Sequence, residues 1–208
     1  MAALVVVLGV LLAALPTLRA LPDAVAAIPF PGRVVIPAPF VPGATRLEHG
    51  VPLGYAHTQA GAVAAAANYE LAIDRAYVGD GSAMGTVLAA IAAPDGKAAL
   101  LAQANQTIDA LAQRGRRVAN SAATILAYRV ERYDPQGAVI LTWEHATLRY
   151  TGPSPTDIDG YDTQRSILTW VDGDWRLVDE TSTDGPAPAD LQGRAVPEGY
   201  RPYPRRGR

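Results

Sequence analysis

Two acidic groupings and three histidines are the places where this sequence could do chemistry. Glu70 and Asp74 stand at i and i+4 in a stretch of helical pattern, so both carboxylates fall on one helix face. That spacing could hold a cation or exchange a proton, but like charges so placed more often mark a solvated flank, and a solvated flank is the expectation here. No second cluster in the sequence supplies the further oxygen ligands that calcium or magnesium would need. Asp157, Asp159 and Asp162 crowd a segment rich in Pro, Asp and Gly; they are the best metal candidate, although turn chemistry alone accounts for them. His145 follows Glu144 on a predicted strand, so the two side chains point to opposite faces and cannot form a dyad; a partner would have to be another acid such as Asp74 or Asp162, and a polar strand or core residue is the expectation. His57 precedes the first predicted helix, where it caps or lines the helix start, and His49 is the third available histidine.

The signatures of the commoner active sites are missing. Neither Gly-x-Gly-x-x-Gly nor a Walker pattern is present to cradle phosphate, and no Gly-x-Ser-x-Gly elbow presents a serine. The chain has no cysteine, which removes disulfides, thiolate metal sites and cysteine nucleophiles together. A formal charge of −2 over 208 residues gives no strong steering toward nucleic acid, and no nucleic-acid partner is expected. Trp143, Trp170 and Trp175 read as core or interface residues, not as a ligand cage. No residue is therefore assigned a catalytic, cofactor-binding or metal-ligating role, no cofactor is expected, and enzyme activity is the less favoured reading.

The elements that would position these groups change period midway. Thr58 is the predicted N-cap of a helix through Ile73, with Val63, Ala67 and Leu71 on one face. Its alanines and Gly61 leave a smooth face open to close approach. A short helix with Met84, Leu88 and Ile91 in register ends before Pro94, and a third from about Asp95 carries Leu101, Ala104, Ile108 and Leu111 up to a stop at Gly115. From Ala122 the period becomes two. Leu126, Tyr128 and Val130 share one strand face, and Val139, Leu141 and Trp143 share a face of a strand from Ala138 to Tyr150. A loop is predicted from Gly152 to Gly160, then a hairpin of Arg165 to Val171 with Trp175 to Asp179 across Asp172-Gly173. Helices followed by an antiparallel meander make an α+β domain.

Outside that domain, Ala2 to Leu15 is an unbroken apolar run of 14 residues, shorter than the roughly 20 that span a bilayer and near a signal-peptide core. No basic residue precedes it, and Ala24-Val25-Ala26 offers a distant cleavage pattern, so residues 1–21 are either a single-pass anchor or a cleaved signal. Both put the remainder outside the cytoplasm, at the cell membrane or secreted. Pro22, Pro29, Pro31, Pro37, Pro39, Pro42 and Pro52 make residues 22–50 a stiff proline-rich stalk. Residues 51–183 are the expected domain, and residues 184–208 a flexible Pro/Gly/Arg tail ending in Arg201, Arg205, Arg206 and Arg208. Lys97 is the sole lysine amid abundant Ala, Gly, Pro and Arg, the codon bias of a high-GC bacterial genome.

The helix-then-meander order and the closing hairpin Ile167 to Asp179, with a tryptophan on each strand, resemble the nuclear transport factor 2-like superfamily. The resemblance covers about Ala56 to Thr183 and implies a cone: N-terminal helices packed on a strongly curved antiparallel sheet. Anchor, stalk and domain together look like accessory components of bacterial conjugation and type IV secretion machines. The Gly50-Val51-Pro52-Leu53-Gly54-Tyr55-Ala56-His57 segment also looks like an uncharacterised domain family of high-GC Gram-positive bacteria, often tied to mobile elements. The apolar start, the proline stalk, the cone-like domain and the lack of a credible catalytic set together lead to the expectation of a membrane-tethered assembly or scaffold domain with protein partners in a membrane complex, with a homo-oligomer left open. Because ketosteroid isomerases and small dehydratases share that fold, the resemblance equally leaves open a secreted small-molecule-binding or enzymatic cone.

Overall fold

Alanine-rich helix, bulged strands and a tight Asp-Gly turn combine in the computed structural model into three helices laid on one face of a curved five-stranded antiparallel sheet, an α+β architecture. The structure describes residues 43–153, 155–188 and 195–204; the predicted membrane segment and most of the proline stalk lie outside the described residues. No helix among the described residues is long and apolar enough to cross a membrane.

A small hairpin comes first, β1 (Arg46–Glu48) paired with β2 (Val51–Leu53) around His49-Gly50, both at positive φ. Helix α1 (Gln59–Ala76) follows, capped by the Thr58 hydroxyl, which accepts the Gly61 N–H at 3.1 Å. Next come α2 (Met84–Ile91) and α3 (Lys97–Gln113), the latter closed by Gly115 at φ 64°. The main sheet then forms from β3 (Arg117–Asp134), β4 (Gly137–Thr151), β5 (Thr156–Val171), β6 (Asp174–Asp184) and the short β7 (Arg201–Pro202), in the order β6-β5-β4-β3-β7. The predicted Asp172-Gly173 turn is present, with φ of 53° and 75°; two consecutive positive φ values suit the twist of the strands it joins, and Trp170 faces Trp175 across it. Strands β1 and β7 lie beyond the expected 51–183 span: Tyr203 donates its N–H to the Leu126 carbonyl at 2.9 Å and packs edge-on against Tyr128.

Three departures from simple alternation shape the interior. Strand β3 is bulged near Val118, Leu126 and Glu131, so Ile125 pairs opposite Glu144 but Ala127 opposite Trp143, and no single alternating face runs along it. Strand β6 is bulged at Val178, opposite the step from Ile167 to Leu168. Trp175 and Leu177 point inward before that bulge and Glu180 after it, whereas plain alternation would have turned Asp179 inward. Gly96 sits against the bulged Val178 backbone with no room for a Cβ, and the neighbouring Ala93 N–H bonds the Leu177 carbonyl at 2.7 Å. The third departure corrects the predicted loop. Strand β5 starts at Thr156: its ladder with β4 continues unbroken through Asp159 opposite Thr147 and Asp157 opposite Arg149, so pairing along the whole of β4 outweighs the poor strand propensity of Asp.

Helix α1 runs across the inner faces of β3 to β6, and every residue from Gly61 to Ile73 is buried. The smooth face is covered from within the domain: Gly61 lies against the Ala56 carbonyl, and Ala62, Ala65 and Ala66 have no exposure. At one end of the interior Tyr69 donates its hydroxyl to the Trp175 carbonyl at 2.6 Å, and the Trp175 indole donates to the Ala56 carbonyl at 3.0 Å. Ile140, Leu168 and Leu177 fill the space between, each such side chain contributing about 1.5–3 kcal/mol by leaving water.

Candidate functional site

The other end of the same interior is acidic. Glu70 and Asp74 on α1 do not lie on a solvated flank. Glu70 is fully buried and Asp74 stands at the rim with its Oδ2 buried, which corrects the sequence expectation. The cause is α1 itself, which has no polar side to turn outward: the sheet, α2 and the β1–β2 hairpin enclose it. Opposite Glu70 and Asp74 the sheet presents Thr142 and Glu144 from β4, Gln164 and Ser166 from β5, and Glu180 from β6, all buried. Strand β4 therefore buries both faces, Val139, Leu141 and Trp143 on one and Ile140, Thr142 and Glu144 on the other.

Few donors reach these carboxyls. The Gln164 amide donates to Glu144 Oε1 and the Ser166 hydroxyl to Glu180 Oε1, each at 3.3 Å. Both oxygens of Glu70, Oδ2 of Asp74, Oε2 of Glu144, Oε1 of Gln164 and Oγ1 of Thr142 are buried with no hydrogen-bond partner among the described residues. Burial, reinforced by the Glu180, Glu144 and Asp74 charges, holds Glu70 well above the usual carboxylate range. Glu144 is raised for the same first reason, with Asp74 the strongest charge acting on it. Burial pushes Asp74 up to about 7, with Glu180 adding to the rise, and pushes Glu180 itself up to about 7. One oxygen each from Glu70, Asp74 and Glu144 lies within 4.8 Å of the others. Chemically, such a cluster can share protons or hold a hard cation.

Other expected groups go elsewhere. His145 and Glu144 do point to opposite faces: His145 Nε2 lies 2.6 Å from Asp159 Oδ1 on the outer face, away from Asp74. Asp157 takes Nε and Nη2 of the Arg149 guanidinium at 3.0 Å, so Asp157 and Asp159 of the predicted metal segment face strand partners, whereas Asp162 lies opposite Glu144, where its charge acts on Asp74 and Glu144. His57 does not cap α1. Its ring stacks on Trp170 with centroids 4.0 Å apart, and Nε2 lies 2.5 Å from the Pro135 carbonyl. Glu144 entered the sequence reading only as the neighbour of His145, while Thr142, Gln164, Ser166 and Glu180 gave no signal on their own. Two signals pointed inward: α1 lacks a polar side, and Thr142 and Glu144 interleave with apolar residues on β4.

A further buried acid, Asp174, is fully supplied. Its Oδ2 accepts the Gly54 N–H at 2.8 Å and Arg46 Nη2 at 3.0 Å, and its Oδ1 accepts the N–H groups of Tyr55 and Trp175 at 3.0 Å each. The β1–β2 hairpin and its exit at Gly54-Tyr55 are thereby fastened to the turn that opens β6.

No curated protein matches the chain. Among solved structures it is similar to the intermembrane space region of the chloroplast protein ARC6, at 12% identity over 62% of this chain and 98% of that one, with a TM-score of 0.46. It is also similar to an IcmL-like type IV secretion system protein from Legionella pneumophila, at 17% identity over 64% of this chain and 98% of that one, with a TM-score of 0.45. A putative calcium/calmodulin-dependent protein kinase II association domain from Xanthomonas campestris is similar at 16% identity, 62% and 89% coverage and a TM-score of 0.37. The family described as Domain of unknown function (DUF8175) matches residues 29–195, most of the chain, and the chain belongs to that family.

Proposed function

We propose that this chain is a membrane-tethered, extracytoplasmic assembly domain of the cone-fold kind, an accessory part of a conjugation or secretion complex. The observation that carries the reading is the Asp174 clamp. The chain passes from an apolar run and a proline-rich stretch into a hairpin whose exit, Gly54-Tyr55, is bonded to one buried carboxylate on the last hairpin of the sheet. A tether pulling on Arg46 or Gly54 would load the sheet through several short bonds, not through a loose loop. A groove of about 380 Å³ beside β7, lined by Arg129, Arg132, Arg201 and Tyr133, offers a surface for a protein partner. The partners of this reading are proteins of the membrane complex, further copies of the chain included.

The test is crosslinking of the tagged full chain in native membranes, followed by identification of what is captured. Channel subunits or transfer ATPases in the captured set, with the protein in the membrane fraction, support the reading. A soluble protein whose mature N-terminus lies near Ala27 and which captures nothing overturns it. A secreted, ligand-binding cone is the second reading, favoured by the buried acids between α1 and the sheet.

A further inference from the structure

We propose that Glu70, Asp74 and Glu144 bind a divalent cation of the calcium class, with Gln164 completing the donor set. The inference does not rest on the assembly reading. It starts from geometry: one oxygen from each of the three carboxylates lies within 4.8 Å of the others. Calcium–oxygen bonds of about 2.3–2.6 Å put ligands on opposite sides of the ion about 4.6–5.2 Å apart, so these groups could close on one ion with side-chain adjustment alone. Magnesium would require a tighter span, about 4.0–4.2 Å. The donors are all oxygen, which suits hard cations; no imidazole or thiolate lies in the cluster to favour zinc or copper.

The second observation is a buried neutral side chain beside the three acids. The Gln164 side chain is 3% exposed, and its amide nitrogen is fixed on Glu144 Oε1 at 3.3 Å. The carbonyl end of the same amide, Oε1, is buried with no partner among the described residues. A neutral carbonyl oxygen beside carboxylates is a usual calcium ligand. One cation would satisfy the orphaned oxygens of Glu70, Asp74, Glu144 and Gln164 at once. Access is provided by Asp74, whose side chain stands at the rim between buried interior and solvent. The supports are rigid: two ligands sit one turn apart on a helix buried from Gly61 to Ile73, and a third sits on a central strand. Because helix and sheet separate on unfolding, the cation would bind the folded chain alone.

The experiment uses the full chain, stripped with chelator and titrated with calcium chloride by calorimetry, with thermal unfolding in parallel. One equivalent should bind, and at a hundredfold excess over Kd the melting temperature should rise by about 5–10 °C. Glu144→Gln should lose at least tenfold in affinity, whereas Asp157→Asn should bind as the parent does. In the unaltered protein, Mn2+ should broaden the side-chain amide resonance of Gln164, a readout that no variant's folding can obscure. The proposal is overturned if calcium, magnesium and manganese all give neither heat nor a thermal shift. It is equally overturned if binding survives Glu144→Gln but is lost in Asp157→Asn, which would place the ion on the outer face. Failure of the crosslinking experiment would leave every one of these outcomes unchanged.

Discussion

Asp174 and Glu70 are both carboxylates with no solvent exposure, yet the protein treats them in opposite ways. Asp174 receives three backbone N–H groups and a guanidinium, and the bonds from Arg46, Gly54 and Tyr55 close a structural junction between the first hairpin and the last. Glu70 receives nothing and faces three further acids. Burial alone therefore does not mark a site; the supply of donors does. A charge that is buried and satisfied fastens chain segments together, while a charge that is buried and unsatisfied weakens the fold unless a proton, water or cation joins it.

The sharpest way to break the comparison is to remove Asp174. Asp174→Ala would orphan the N–H groups of Gly54, Tyr55 and Trp175, and the half-exposed Arg46 would lose its partner. Urea unfolding should show a loss of about 3–5 kcal/mol, most of it from the backbone donors at about 1–3 kcal/mol each. A loss below about 1 kcal/mol would mean that the clamp does not hold the junction.

The acidic end should respond to pH instead. Burial raises the folded-state pKa of Asp74 and Glu180 to about 7 from ordinary values of 3.8 and 4.5. The folded protein thus keeps protons that the unfolded chain has already released. The stability these protonated groups allow is complete below about pH 4 and is lost as pH rises toward 7, by about 1.4 kcal/mol per unit for each group. Above that range the loss levels off. Chelator-treated protein followed by urea unfolding between pH 4 and 8 should show this decline, and a flat or rising profile would contradict it. Glu70→Gln should act in the same direction at a single pH. By removing an acid that burial and its neighbours oppose, it should stabilise the chelator-treated protein at pH 8 by about 1–3 kcal/mol.

The elements around these groups were legible because local chemistry sets them. Thr58 caps α1, Gly115 closes α3 at positive φ, and Asp172-Gly173 forms the closing turn, each by an interaction within a few residues. The acidic interior was not legible, for two physical reasons. The i, i+4 pair Glu70 and Asp74 has the same spacing on a solvated helix as on an enclosed one, and only the covering of α1 by sheet and hairpin separates the cases. Glu180 reaches the interior through the Val178 bulge, a one-residue shift that reverses alternation and is held by Gly96 from a distant loop. Residues spread over positions 70 to 180 meet only in the tertiary fold.

The smallest expected effect completes the contrast between satisfied and unsatisfied acids by moving it to the surface. Asp157 is as acidic in type as Asp74 but stands in water, with Arg149 donating to it from the neighbouring strand. Both side chains are more than half exposed, so solvent already supplies most of what the ion pair offers, and salt screens the remainder. Asp157→Asn should leave the melting temperature unchanged within measurement at physiological ionic strength, and should leave the pH profile of the interior acids where it was. A resolvable loss would show that strand β5 depends on this pair to start at Thr156, and the contrast would then lie in the geometry of the ladder and not in exposure.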